Sequence, residues 1–108
     1  MDKISMADLY KLKDRLGKNE VVLDVRTPEE YRDGHVPGSI NIPHEEVTQH
    51  LGELKLYSKV YIHCKMGGRA QKASDALAQA GLTNLVCVAG SGMAAWIEAG
   101  YPVQKGGN

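Results

Sequence analysis

One cysteine, two glycines and two cations fall within a single hexapeptide, Cys64-Lys65-Met66-Gly67-Gly68-Arg69, which we call the Cys64 loop. Glycine lets the backbone turn so that several N–H groups can point at one spot. A helix beginning after the loop would add free N–H groups and the positive end of its dipole. Because both features stabilise an anion, the pattern predicts a nucleophilic Cys64 thiolate, with Lys65 and Arg69 attracting anionic reactants.

The segments on either side of the Cys64 loop are predicted to be a buried strand and a helix. Residues 59–62 are a short apolar run with β-branched and aromatic members, which is typical of a strand. Residues 70–80 are rich in Ala, Gln and Leu and favour a helix that Gly81 closes. An inert buried cysteine is the other interpretation of Cys64, but it would need neither the glycine pair nor the flanking cations.

The rest of the chain alternates helical and extended patterns. Helices are predicted after the caps Ser5 and Thr27, and over residues 44–54 and 93–99. Continuous apolar runs predict buried strands over residues 21–25 and 85–89, and a very short extended piece follows a turn within residues 35–43. This alternation predicts an α/β fold with a central, mainly parallel sheet flanked by helices on both faces.

Three strand ends are therefore expected to meet at the carboxyl edge of the sheet, where such folds bind ligands. Cys64 follows one strand, residues 24–26 end another, and residues 89–91 end a third. Asp24 and Arg26 could support the Cys64 loop from the neighbouring strand, although a structural salt bridge between them is an equally good interpretation.

Length and composition limit the class of protein. The 108 residues, 43% of them hydrophobic, fit one domain over residues 1–103 with a flexible tail over 104–108. Thirteen acidic and thirteen basic side chains cancel, which argues against a nucleic-acid or anionic-membrane surface. The first residues are too polar for a signal peptide, so a cytoplasmic protein is expected. The oligomeric state is left open.

The remaining cysteine and the histidines carry weaker signals. Two cysteines do not make a disulfide framework, and Cys87 lies in a predicted strand, where a core position is expected. His35 and His63 match no metal-binding spacing, so hydrogen-bonded structural roles are expected for both and no metal or cofactor is predicted. Trp96 is expected to pack the final helix.

Five segments together resemble the rhodanese family of sulfurtransferases over nearly the whole chain: residues 23–31, 34–43, 64–69, 92–96 and 99–103. The resemblance implies a small α/β domain whose active loop is the Cys64 loop, with Cys64 carrying a persulfide. Ser91 is a departure, because family members usually have two adjacent glycines before the final helix. Serine is small, so we expect the turn to survive, but the shape of the pocket rim is in question.

The same resemblance implies a thiosulfate:cyanide type of sulfur transfer. The Cys64 thiolate would take the outer sulfur of thiosulfate, a polysulfide or a persulfide, and the N–H groups of residues 65–69 would hold the resulting anion. Cyanide, a small thiol or a protein thiol would then accept the sulfur. The expected partners are thus a small-molecule donor and a thiol or protein acceptor, without nucleic acid or membrane.

Two alternatives belong to other functional classes. Cysteine phosphatases and arsenate reductases also combine a cysteine, a loop of N–H donors and an arginine, but their loops are longer. Here only four residues separate Cys64 from Arg69, which suits one sulfur atom better than a tetrahedral phosphate. A non-catalytic binding module of the same fold is the second alternative, and it would have no reason to keep Cys64.

Overall fold

A five-stranded parallel sheet forms the centre of the computed structural model, which describes residues 1–106. The strands are β1 (Asp2–Ile4), β2 (Glu20–Asp24), β3 (Ile40–Asn41), β4 (Lys59–His63) and β5 (Leu85–Val88). They lie in the order β1-β5-β4-β2-β3, and every neighbouring pair is parallel. The predicted parallel sheet is confirmed. Strand β1 was missed, because a half-exposed edge strand of three residues shows no continuous apolar run.

Among the described residues, one α-helix follows each strand: α1 (Met6–Leu12), α2 (Pro28–Asp33), α3 (Leu51–Leu54), α4 (Gly68–Gln79) and α5 (Met93–Glu98). Ser5 and Thr27 cap their helices, as predicted, and each does so in a reciprocal capping box. Within residues 1–106, no helix combines the length and the apolar character that crossing a bilayer requires.

The segment at residues 44–54 differs from the single helix that was predicted. His44–His50 is a 3-10 helix, and only Leu51–Leu54 is α-helical. The β-branched Val47 and Thr48 and the two histidines have weak α-helix propensities, so the tighter 3-10 turns are not strongly disfavoured here. A second short 3-10 segment, Lys13–Arg15, extends α1 before the chain reaches β2.

Both faces of the sheet are covered, which confirms the predicted layers. Helices α3 and α4 pack on one face, over a core that includes Ile62, Leu77 and Cys87. Helices α1 and α5 pack on the other face around the buried Trp96, whose indole N–H donates to the Pro102 carbonyl at 2.7 Å. The core role predicted for Trp96 is therefore confirmed. The sheet is thus held between two apolar layers.

The chain beyond residue 103 makes backbone contacts within the described region. Gln104 exchanges two backbone hydrogen bonds of 2.9 Å with His35, and the Gly106 N–H donates to the Arg32 carbonyl at 2.9 Å. These contacts tie the start of the predicted tail to the end of α2. The flexibility of the tail stays a prediction, and residues 107 and 108 lie outside the described residues.

Candidate active site

Cys64 follows β4 directly, and its side chain is almost fully buried, with 1% of the residue exposed. Its Sγ accepts two backbone hydrogen bonds, from Gly67 N–H at 3.0 Å and from Ala70 N–H at 3.3 Å. Ala70 lies outside the Cys64 loop and was missed, because an alanine inside a helix gives no signal except its place in the first turn. Such donors are what an anionic sulfur requires.

Gly67 gives the loop its shape. Its φ of +113° is in the left-handed region, which favours glycine. A Cβ at this position would also lie 3.0 Å from the backbone nitrogen of Gly90. Gly67, whose N–H donates to Sγ, is therefore the member of the glycine pair that this backbone conformation requires to be glycine, whereas Gly68 has no positive φ.

The first residues of α5 contact the backbone of the Cys64 loop. Met93 N–H donates to the Cys64 carbonyl at 2.8 Å, and Ala94 N–H donates to the Lys65 carbonyl at 3.2 Å. Gly92 lies so close that a Cβ there would be 2.2 Å from the Cys64 carbonyl oxygen. Two orphan N–H groups at a helix N-terminus are thereby satisfied by the carbonyls of the loop.

The Ser91 side chain is directed toward the start of α1. Its hydroxyl oxygen is 3.5 Å from the Met6 backbone nitrogen, and Gly90 before it takes a φ of +78°. The turn into α5 therefore forms with serine in place of the usual glycine, as expected.

Asp24 and Arg26 form a buried ion pair at the end of β2. Arg26 Nη2 is 2.7 Å from Asp24 Oδ2, and the same nitrogen donates to the Gly34 carbonyl at 2.7 Å. Asn41 donates to the main-chain carbonyls of both residues at 3.0 Å. These bonds hold the end of β2 against α2 and β3. Of the two predicted roles, support of the Cys64 loop and a structural salt bridge, the contacts correspond to the salt bridge.

Arg69 is engaged by Glu30 of α2, a contact that the sequence did not reveal. Its two terminal nitrogens donate to the two Glu30 carboxylate oxygens at 2.7 and 3.0 Å. Glu30 also accepts from Thr27 N–H at 3.0 Å in the capping box, which is the only role its position had suggested. The carboxylate compensates the cation at the N-terminal end of α4, where the helix dipole opposes positive charge.

The hydrogen bonds from Arg69 hold the pKa of Glu30 at about 2, well below its usual 4.5. A depressed carboxyl pKa contributes stability that is present above the unfolded value and lost as the pH falls from about 4.5 toward 2. We expect Glu30→Gln to lose less stability between pH 7 and pH 3 than wild type does, by about 1 kcal/mol after allowing for solvent screening. Urea unfolding of both proteins at the two pH values measures this, and equal acid losses would contradict it.

Two histidines are buried near the site: His63 at the end of β4 and His35 just after α2. His63 is fully buried next to Cys64, with Nδ1 3.4 Å from the Cys64 carbonyl oxygen and Nε2 3.9 Å from Asp24 Oδ2. Burial lowers the pKa of His63, so its ring is neutral near pH 7. His35 stacks on Tyr31 and its Nδ1 lies 2.7 Å from the Tyr31 carbonyl oxygen, which confirms its structural role. Over residues 1–106, no group of three metal-binding side chains is assembled.

Cys87 is fully buried in β5, and its Sγ lies 3.9 Å from Gln71 Oε1. The predicted core position is confirmed. We expect Cys87→Ala to keep the reactivity of Cys64 and to lose about 1 kcal/mol of stability, because a small buried side chain is truncated. Alkylation rates and chemical unfolding test the two parts, and a large loss of reactivity in a folded variant would instead give Cys87 a chemical role.

Two adjoining clefts lie beside the Cys64 loop and share Arg26, Glu30, Asp33 and Ile97 in their walls. The smaller cleft, of about 170 Å³, reaches Lys65, and the larger one, of about 270 Å³, continues to Lys105. Met66 is 67% exposed at the tip of the loop. A further cleft of about 260 Å³, next to Met1 and the start of β5, has no ionisable side chain in its walls. The two clefts therefore lie between α2 and α5 and meet the Cys64 loop at Lys65.

Cys64 thus lies between a strand and a helix at the carboxyl edge of a parallel sheet. The protein is of the α/β class, and its candidate active site is centred on this cysteine. The chain belongs to the rhodanese-like domain family, because the family model matches residues 8–99. The chloroplastic thiosulfate sulfurtransferase 16 of Arabidopsis thaliana is 35% identical over 97 residues, covering 76% of this chain and 78% of the relative. Some other curated relatives are more than twice as long as the region matched.

One solved structure is described as belonging to this family, and another has a similar fold under a different description. A rhodanese-related protein from Thermoplasma volcanium is 39% identical, with a TM-score of 0.76 and coverage of 96% of this chain and 98% of that one. A protein of unknown function from Rhodopseudomonas palustris, described as a possible tyrosine phosphatase, is 25% identical, with a TM-score of 0.85 and coverage of 96% and 85%.

Proposed function

We propose that this protein is a sulfurtransferase that carries sulfane sulfur as a persulfide on Cys64. The observation that carries the proposal is the pair of N–H donors, from Gly67 and Ala70, directed at Cys64 Sγ. In the first half-reaction the Cys64 thiolate attacks the outer sulfur of the donor and forms a new S–S bond. The donor's own bond to that sulfur breaks, and sulfite or a thiolate leaves with the electron pair.

In the second half-reaction an acceptor thiolate, or cyanide, attacks the outer sulfur of the Cys64 persulfide. The S–S bond breaks, and its electron pair returns to Cys64 as a thiolate. Both negatively charged forms of the cysteine gain from preorganised N–H donors, as in an oxyanion hole. The proposed partners are a small sulfur donor and a thiol, a protein thiol or cyanide as acceptor, with no cofactor. A reducing compartment such as the cytoplasm, which would keep both cysteines as thiols, is part of the proposal.

Phosphate or arsenate chemistry is the second candidate, since one solved neighbour is described as a possible tyrosine phosphatase. Two features speak against it. The interval of four residues between Cys64 and Arg69 is short for an oxyanion with three equatorial oxygens. Arg69, which would be needed to hold that oxyanion, is committed to Glu30 by two hydrogen bonds. A non-catalytic module is less favoured, because it would not need donors aimed at Sγ.

Mass spectrometry of the intact protein after incubation with thiosulfate or polysulfide tests the proposal. We expect the mass to increase by one sulfur atom, peptide mapping to locate that atom on Cys64, and cyanide to remove it. Aryl phosphates should not be hydrolysed. A protein that hydrolyses aryl phosphates and never acquires sulfur on Cys64 would support the phosphatase alternative, and one that does neither would support the binding module.

A further inference from the structure

The cations around the Cys64 loop differ in whether a carboxylate neutralises them. Arg26 is paired with Asp24, and Arg69 is paired with Glu30. Lys65 is exposed and, within the described part of the chain, makes no ion pair. The region next to Cys64 therefore offers an incoming anion much less positive charge than the sequence of the loop suggests.

Resting on the function proposed above, we infer that Glu30 determines the charge of the sulfur donor. Glu30 holds Arg69 in a bidentate ion pair. The site therefore favours donors with one negative charge, such as alkyl persulfides, over the dianion thiosulfate. Glu30 is thus a specificity-determining residue that acts through Arg69.

The geometry of Arg69 gives Glu30 this influence. Arg69 immediately precedes Ala70, whose backbone N–H donates to Cys64 Sγ at 3.3 Å. The arginine backbone is therefore directly bonded to a residue that contacts the reactive sulfur. Its guanidinium is turned to Glu30, which lines the cleft that reaches Lys65. Glu30 is the main reason that the pKa of Arg69 is raised, and the Cys64 thiolate adds to it. The guanidinium is therefore within electrostatic reach of Cys64 but committed to another partner.

Both donor classes give the same product on Cys64, but they differ in charge and in leaving group. An alkyl persulfide, R–S–S⁻, gives its outer sulfur to the Cys64 thiolate and leaves as the thiolate R–S⁻. Thiosulfate gives its outer sulfur in the same way and leaves as sulfite, a dianion. Since Coulomb energy is proportional to charge, a neutralised Arg69 penalises the dianion more than the monoanion.

Glu30→Gln is the informative variant, because glutamine can also serve in a capping box while it removes the charge that holds Arg69. The matched control is Glu29→Gln, which makes the same chemical change one residue earlier, at an exposed position of α2. Arg69→Ala combined with Glu30→Gln removes the cation that the first variant releases. Circular dichroism and thermal unfolding check that each variant is folded.

We expect Glu30→Gln to raise kcat/KM for thiosulfate about tenfold, the effect of one charge-assisted hydrogen bond to the donor. The rate with the persulfide of 2-mercaptoethanol, a monoanion, should rise only about threefold. Glu29→Gln should change neither rate by more than about twofold, and the double variant should not show the gain that Glu30→Gln shows. A gain of similar size in Glu29→Gln, or one that persists in the double variant, would overturn the inference.

A second measurement does not depend on sulfur transfer. The ratio of Cys64 alkylation rates with iodoacetate, an anion, and iodoacetamide, which is neutral, should rise about threefold in Glu30→Gln and not in Glu29→Gln. An unchanged ratio overturns the role of Glu30, whatever the donor. If the ratio rises but no donor ever places sulfur on Cys64, the charge effect of Glu30 stands, whereas the proposed sulfur transfer and the donor preference built on it both fail.

Discussion

Cys64→Ser is expected to reduce sulfur transfer by at least about a thousandfold, because the thiolate is a reactant that a hydroxyl cannot replace. The fold should survive. Serine is smaller than cysteine but its oxygen can accept hydrogen bonds from the same donors, Gly67 and Ala70, so we expect a stability change of about 1 kcal/mol or less.

Sulfite release from thiosulfate and the mass of the intact protein are the two measurements for this variant. The control is Cys87→Ala, which removes the other thiol from the core and should still acquire one sulfur atom. If sulfur transfer persists in Cys64→Ser and disappears in Cys87→Ala, the reactive cysteine is Cys87 and our proposal is wrong.

Gly92→Ala should have the second-largest effect, although Gly92 has no functional group. Its φ of −173° is extended backbone that any residue adopts, so the effect is purely steric. The new Cβ would lie 2.2 Å from the Cys64 carbonyl oxygen and 2.5 Å from that of Lys65, both of them backbone atoms. Either the Cys64 loop or α5 must move, and the hydrogen bonds from Met93 and Ala94 to the loop are then strained or lost.

For Gly92→Ala we expect a loss of about 2–3 kcal/mol in the free energy of unfolding, typical of an overpacked site. Sulfur transfer should fall by about a hundredfold, because displacing catalytic groups by about 1 Å can cost that much. Chemical unfolding and the rate of persulfide formation measure the two effects. Gly52→Ala is the control, since a Cβ there meets no atom within 4 Å and alanine favours the helix. Equal behaviour of the two variants would mean that the loop does not depend on close contact with α5.

Much of the architecture could be predicted from local sequence. The capping boxes at Ser5 and Thr27 involve residues three positions apart, and the buried strands β2, β4 and β5 are continuous apolar runs. The strand–loop–helix unit around Cys64 is also local, since Gly67 and Ala70 lie within six residues of the cysteine. These features could be read from sequence because each depends on conformational preferences and hydrogen bonds inside one short segment.

Only the tertiary structure decided which groups reach the Cys64 loop from elsewhere. Glu30 and Arg69 are 39 positions apart, and neither residue type indicates that it will meet the other. Gly92 supports the loop because α5 begins directly behind it, and β1 exists because β5 offers it an edge. Such contacts follow from how β-strands distant in sequence align in the sheet. The charge that an incoming anion meets at Cys64 is therefore a property of the assembled fold, since it depends on pairing between α2 and α4.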